Sequence, residues 1–218
     1  MNIIFDLDGT LIDSAPDIHA AGNAVLAAEG LPGVTYDQTR SFIGKGAGVF
    51  IERLELAGAG TLDPARGARM RKRFLKEYEV AHALTTIYPG VEAALDALST
   101  AGWQLGLCTN KPIGPTRTVL AHFGWADRFA AVIGGDSLPV RKPDPAPLRA
   151  VIDSLGAGPV VYVGDSEVDA DTAQAARVPF ALFTQGYRKT PVDTIPHSRA
   201  FDDWAALPGI AAALIARA

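Results

Sequence analysis

FDLDGTLIDS, residues 5–14, closes an apolar run with two aspartates two positions apart. Side chains alternate faces along a strand, so Asp6 and Asp8 should point the same way from the strand's end. Two carboxylates aimed at one place repel unless something positive lies between them. Asp8-Gly9 between apolar residues is also a hairpin signal, and aspartate is common beside turns. The decapeptide leaves a bare turn and a charged site both open, and the rest of the chain decides.

The runs Asn2–Leu7, Gln104–Cys108, Ala130–Ile133, Val160–Val163 and Phe180–Phe183 are short and almost wholly apolar. Such runs suit strands covered on both faces, hence a parallel sheet. Helical spacing lies between most of them: Val91, Ala94, Leu95 and Leu98 before Gly102; Val119, Leu120 and Phe123; Leu148, Val151, Ile152 and Leu155 before Gly156. Trp204, Leu207, Ile210 and Leu214 give a terminal helix. Strand alternating with helix predicts an α/β fold, a Rossmann-like open parallel sheet with ligands outside the carboxyl ends of its strands.

Residues 15–82 break the alternation, being too long for an ordinary crossover and without a strand pattern. Ser14 with Asp17 reads as a capping pair with Pro16 in the first turn, and Ile18, Ala21, Val25 and Leu26 form an apolar stripe. Further helices are expected around 47–57 and 64–82. The expected organisation is an α/β catalytic core of residues 1–14 and 83–218 and an α-helical cap domain of residues 15–82.

The chain has 218 residues, 48% of them hydrophobic and 20% charged, enough for a sizeable core. Its 20 Lys+Arg against 24 Asp+Glu give −4, so no nucleic-acid partner is expected. The basic cluster Arg66, Arg69, Arg71, Lys72, Arg73 and Lys76 reads as a solvated helix face. A single cysteine, Cys108, excludes an internal disulfide and reads as a small core residue. With no signal-like start and no apolar run of ~20 residues, the expectation is a cytoplasmic protein without a membrane partner, as monomer or homodimer.

Polar groups collect where the fold would place a ligand. Asp6 and Asp8 follow the first strand, Thr109-Asn110-Lys111 the second, and Gly164-Asp165-Ser166 with Asp169 the fourth; Arg141-Lys142-Pro143-Asp144-Pro145 precedes a helix. Asp6, Asp8 and Asp165 need a cation between them, and Mg²⁺ suits a few carboxylates plus a substrate phosphate. It would hold Asp6 ionised, as a nucleophile must be. Lys142 adds a positive charge for anionic oxygens, Thr109 a hydroxyl donor, and amides near Asn110 further donors. That set fits phosphoryl transfer.

DLDGT at 6–10, Thr109, Lys142 and GDSEVD at 164–169 resemble, in order and spacing, the four motifs of the haloacid dehalogenase superfamily. The resemblance implies that Asp6 attacks phosphorus to form an aspartyl-phosphate. Asp8 would protonate the leaving oxygen, then activate water, and lend its backbone carbonyl to Mg²⁺. Thr109 and Lys142 would hold the phosphoryl group, Asp165 would be a metal ligand, and Asp169 would support the metal's waters or Lys142. An acid two residues after the nucleophile favours phosphate esters, because a leaving alkoxide needs a proton and a halide does not.

FIGKGAGVFIERL at 42–54 and GDSEVDADTAQAARVPF at 164–180 resemble bacterial phosphoglycolate phosphatases. By that resemblance the turn around Lys45 dips into the site, and Lys45 pairs with the carboxylate of 2-phosphoglycolate, a small phosphorylated metabolite. A phosphatase or mutase for sugar phosphates and a pyrophosphatase are the alternatives. Intact Asp6, Asp8, Lys142 and Asp165 argue against a non-catalytic binding protein. Arg141 reads as a surface charge, and His19, His82, His122 and His197 lack metal spacing. Tyr187, Arg188 and Lys189 form a loop able to line the pocket.

Overall fold

The strand that carries the two aspartates lies in the middle of the sheet, buried along its whole length. In the computed structural model, which describes residues 1–216, the chain runs as follows. First come β1 (Asn2–Phe5), β2 (Ile12–Asp13) and four helices, α1 (Ala15–Ala28), α2 (Tyr36–Phe42), α3 (Gly46–Ala59) and α4 (Pro64–Glu79). Next are β3 (Thr86–Ile87), α5 (Val91–Thr100), β4 (Gln104–Cys108), α6 (Ile113–His122) and β5 (Ala131–Ile133). Then follow α7 (Ala146–Leu155), β6 (Val160–Gly164), α8 (Glu167–Ala176), β7 (Phe180–Phe183), β8 (Arg199–Phe201) and α9 (Leu207–Ile215). The expected core extends to residue 218, whose last two positions lie outside the described residues.

The five apolar runs become β1, β4, β5, β6 and β7 of a six-stranded parallel sheet ordered β5-β4-β1-β6-β7-β8. Alternation sends their side chains into two cores. Ile3, Phe5, Leu105, Leu107, Val161, Val163 and Phe183 meet apolar residues of α5, α6 and α9 on one face. Ile4, Tyr162, Phe180 and Leu182 meet α7 and α8 on the other. β8 was not foreseen, since its three residues, Arg-Ala-Phe, are too few to carry a period.

Helices α1–α4 bury an apolar cluster of their own, including Ile18, Leu26, Phe50, Leu54, Met70 and Phe74. The chain leaves the sheet through β2 and returns through β3, and these two short strands pair antiparallel as a neck. The expected Ser14–Asp17 capping pair does not form. Asp17 accepts from Leu84 N (3.0 Å) and Thr85 Oγ1 (2.6 Å), tying the first helix to the returning chain. The Ser14 hydroxyl goes to Asp8 instead. Helix α2, also not foreseen, opens with a capping box between Thr35 and Gln38. Among the described residues no helix is long and apolar enough to cross a membrane.

Candidate active site

Phe5 stands in register with Leu107 on one side and Val163 on the other, so three strands end abreast. Asp6, Thr109 and Asp165 therefore leave the sheet at one edge, where the strand order turns about β1. The turn after β1 is real: Gly9 N donates to Ile12 O at 2.8 Å. Gly9 has φ +89°, and a Cβ there would lie 2.5 Å from Asp165 Oδ2. Only glycine lets the turn lie against that carboxylate. Thr10 Oγ1 then donates to Asp165 Oδ1 (2.8 Å), and Tyr187 N donates to Oδ2 (2.6 Å). The turn builds the charged edge.

Lys142 is buried beneath this edge. Its three hydrogens go to Cys108 O (2.9 Å), Tyr162 OH (2.9 Å) and Asp169 Oδ1 (2.7 Å). Asp169 accepts from Tyr162 OH as well (2.8 Å), and its other oxygen takes Asp165 N (3.2 Å), Ser166 N (3.1 Å) and Ser166 Oγ (2.6 Å). Asp6 Oδ1 lies 2.9 Å from Lys142 Nζ as an ion pair, yet no hydrogen is directed at it, and it is buried without a hydrogen bond. An orphaned buried carboxylate oxygen requires a reason.

Electrostatics point the same way. Burial pushes Asp6 up to about 7, although Lys142 pulls down, and burial with the nearby Asp169 and Asp6 charges pushes Asp165 well above the usual carboxylate range. For Asp169 the burial penalty is outweighed by Lys142 and by hydrogen bonds from Ser166 and Tyr162, which hold it below that range. Asp6, Asp165 and Asp169 each bring a carboxylate oxygen within 4.8 Å of the others. Asp169 already has five donors, whereas Asp6 and Asp165 have charge to spare. An oxygen-only donor set with excess negative charge fits a hard divalent cation.

A cavity of about 50 Å³ opens on Asp6 and Asp8 between the sheet edge and the helices. Thr109, Asn110 and Lys111 form its polar wall, and Ile18, Phe50 and Phe74 its apolar one. A second lobe of about 20 Å³ also touches Asp6 and Asp8 but is walled by Asp165, Ser166, Tyr187 and Lys189. Asp8 Oδ1 accepts from Ser14 Oγ (2.6 Å) and Lys111 Nζ (3.2 Å), and the Tyr78 hydroxyl of α4 lies 3.5 Å from Oδ2.

A family model for haloacid dehalogenase-like hydrolases matches residues 1–177. The chain belongs to this family. It is 52% identical over 215 residues to a phosphoglycolate phosphatase of Cereibacter sphaeroides, covering 98% of this chain and 99% of the relative. A phosphoglycolate phosphatase of Rhodobacter capsulatus is 46% identical over 95% of each chain. Among solved structures, one from Haemophilus somnus described as a predicted phosphoglycolate phosphatase superposes with a TM-score of 0.91. It is 31% identical and covers 96% of each chain.

In this hydrolase Asp6, Asp8 and Thr109 reach one cavity, with Lys142 and Asp165 directly behind Asp6. Asn110 lines the cavity too, but its amide hydrogens are committed to Lys142 O (3.0 Å) and Gly44 O (2.9 Å), which makes the side chain a strut between sheet and helices. Lys45 departs from expectation. Gly44 and Gly46 enter the cavity, while the lysine between them is exposed and lines an outer groove with Arg141. The turn dips in, but its side chain leaves.

Several contacts were not foreseen. Ser14, Lys111 and Tyr78 all converge on Asp8, and Tyr162 positions Lys142. Lys111 was visible beside Thr109, and Tyr78 follows Met70 and Phe74 at four-residue spacing on the buried face of α4. The period placed Tyr78 inward, but what it would meet there depends on how the helices seat. Arg40 Nη2 to Gly186 O (3.0 Å) and Lys189 Nζ to Ile43 O (2.9 Å) fix that seating.

Proposed function

We propose that this hydrolase is a Mg²⁺-dependent phosphate monoesterase that works through an aspartyl-phosphate on Asp6, with 2-phosphoglycolate as substrate and glycolate and phosphate as products. The observation that carries the reading is that Asp6 and Asp8 share one small cavity, the orphaned Oδ1 of Asp6 beside Lys142 and Asp8 within reach of the same space. Residues 15–82 act as the cap, and residues 1–14 with 83–218 as the catalytic core.

Asp6 and Asp165, with the backbone carbonyl of Asp8, would hold Mg²⁺, which neutralises phosphoryl charge and keeps Asp6 ionised. A carboxylate oxygen of Asp6 attacks phosphorus. As that O–P bond forms the ester O–P bond breaks, and Asp8 gives its proton to the departing glycolate oxygen. In the second half Asp8, now ionised, takes a proton from water as the water oxygen attacks phosphorus and releases Asp6. Thr109 steadies a phosphoryl oxygen, and Lys142, fixed by Asp169 and Tyr162, contributes its positive charge beside Asp6.

The substrate assignment draws on the names of the relatives and on the cavity, whose roughly 50 Å³ is room for a few water-sized groups. A sugar phosphate would need the cap displaced. Phosphate release is measured for 2-phosphoglycolate, glucose 1-phosphate and pyrophosphate, with Mg²⁺ and with EDTA. The expected result is Mg²⁺-dependent hydrolysis strongest on 2-phosphoglycolate, lost by on the order of 10⁴-fold in Asp6→Asn. A preference for glucose 1-phosphate or pyrophosphate refutes the substrate, and full activity in Asp6→Asn refutes the nucleophile.

A further inference from the structure

The cavity beside Asp8 contains a cation that the phosphoryl chemistry above does not use. Lys111 is buried, and its Nζ is the only cationic group among the described residues that line this cavity. It bonds Asp8 Oδ1 (3.2 Å) and the Tyr78 hydroxyl, and lies 3.9 Å from the centre of the Tyr78 ring. A lysine ammonium has three hydrogens, so these two partners leave one.

The other cations near the site are committed elsewhere. Lys142 has spent its hydrogens on Cys108, Tyr162 and Asp169. Lys189 lines the smaller lobe and bonds Ile43 O, and Lys45 is exposed in the outer groove. Arg40 bonds Gly186 O and lies over the Tyr187 ring at 5.5 Å.

We propose that Lys111 is the specificity-determining cation of this hydrolase, binding the carboxylate of a phosphorylated short-chain acid, with Tyr78 of the cap holding its ammonium in place. The proposal rests on the phosphatase reading above and names the group that selects the substrate. The two lobes set the geometry: Asp6 and Asp8 border both, Asp165 walls only the smaller one, and Lys111 and Tyr78 wall only the other. A phosphoryl group at Asp6 directs a short organic tail toward Lys111.

Without substrate, Asp8 is the counter-ion of Lys111. An incoming carboxylate takes over that role. An ester with no second anion leaves the Lys111–Asp8 pair intact and gains no charge partner. Selection thus acts on binding. Because Tyr78 belongs to α4, the cation is assembled only when the cap is seated.

The test compares 2-phosphoglycolate with ethyl phosphate, which has a methyl group in place of the carboxylate. For wild type, Lys111→Met and Tyr78→Phe, kcat and KM are measured on both, and the quantity read is the ratio of the two kcat/KM values. Loss of one partner of a desolvated charge pair predicts that Lys111→Met lowers this ratio on the order of 100-fold, mainly through KM for 2-phosphoglycolate. Tyr78→Phe lowers it by a smaller factor, and Lys111→Arg restores part of it. Equal losses on both substrates overturn the proposal, since Lys111 would then only support Asp8. If Lys111→Met fails to fold, Tyr78→Phe decides: an unchanged ratio overturns the proposal and a reduced one supports it. A wild type with no preference between the two esters removes the phosphoglycolate reading itself, whereas a retained preference with unchanged variant ratios removes only the role of Lys111.

Discussion

Asp169→Asn changes one atom and should unfold the protein well before wild type. The carboxylate has five donors, and two of them, Asp165 N and Ser166 N, are backbone groups that cannot become acceptors. A third, Lys142, has no acceptor atom at all. An asparagine has one oxygen. If it faces Lys142, the amide nitrogen confronts two backbone N–H groups; if it faces those, the nitrogen confronts the ammonium. Either rotamer leaves buried donors unpaired and removes the charge opposite Lys142. Breaking one side of a buried pair costs about 3–5 kcal/mol. For a chain of this size that is a fall of roughly 6–20 °C in Tm. Circular dichroism melts in EDTA, which keep metal out of the comparison, read it directly. Adding Lys142→Met removes the second charge, so the double variant should be more stable than the sum of the two singles by about 1 kcal/mol or more. A Tm within about 2 °C of wild type for Asp169→Asn, or strict additivity in the double variant, would refute the network's role.

Gly9→Ala should injure the site more than the fold. Its Cβ would meet Asp165 Oδ2 at 2.5 Å and the Tyr187 ring at 2.7 Å with φ at +89°; the backbone strain costs about 1–2 kcal/mol in a melt, and phosphate release falls at least tenfold because Asp165 is displaced. Trp204→Ala should cost about 3–5 kcal/mol in urea unfolding, since the ring is buried against Phe5, Phe183 and Phe201 at centroid distances of 6.2, 5.4 and 5.4 Å. Trp204→Phe should cost much less than Trp204→Ala, as the indole N–H has no partner to lose.

Where a segment was buried on both faces or carried a long apolar period, its residues declared it. β1, β4, β6 and β7 are continuous apolar runs because both sheet faces are covered, and α5 and α7 repeat at helical spacing. β2, β3 and β8, at two, two and three residues, are defined by what pairs with them. A short strand has no period to read. Ser14 shows the same limit in a side chain. Its sequence neighbours suggest a cap, but a phenol distant in the chain and the carboxylate at the tip of β1 compete for it: Tyr187 OH takes its backbone N–H (2.8 Å) and Asp8 takes its hydroxyl (2.6 Å).

The candidate site divides along the same line. Asp6, Asp8, Thr109 and Asp165 stand at strand ends, so strand register alone brings them together, and register follows from the apolar pattern. Lys45 and Lys111 are the instructive pair. Both lie in loops at the working edge and both carry the charge a carboxylate requires, and the sequence favoured the glycine-flanked one. Flanking glycines show that the backbone can approach the cavity; they do not say where the side chain between them turns. At 44–46 the backbone enters and Lys45 points outward. At 109–111 Thr109 N is held by Ile133 O (3.0 Å) and Thr109 Oγ1 accepts from Lys111 N (3.1 Å), so the chain curls and carries Lys111 inward against Asp8. An ammonium is buried only where acids and hydroxyls meet it, and Asp8 and Tyr78 arrive from 103 residues and 33 residues away in the chain. The burial of Lys111, which no local pattern encodes, therefore depends on helices α1–α4 being seated over the sheet edge.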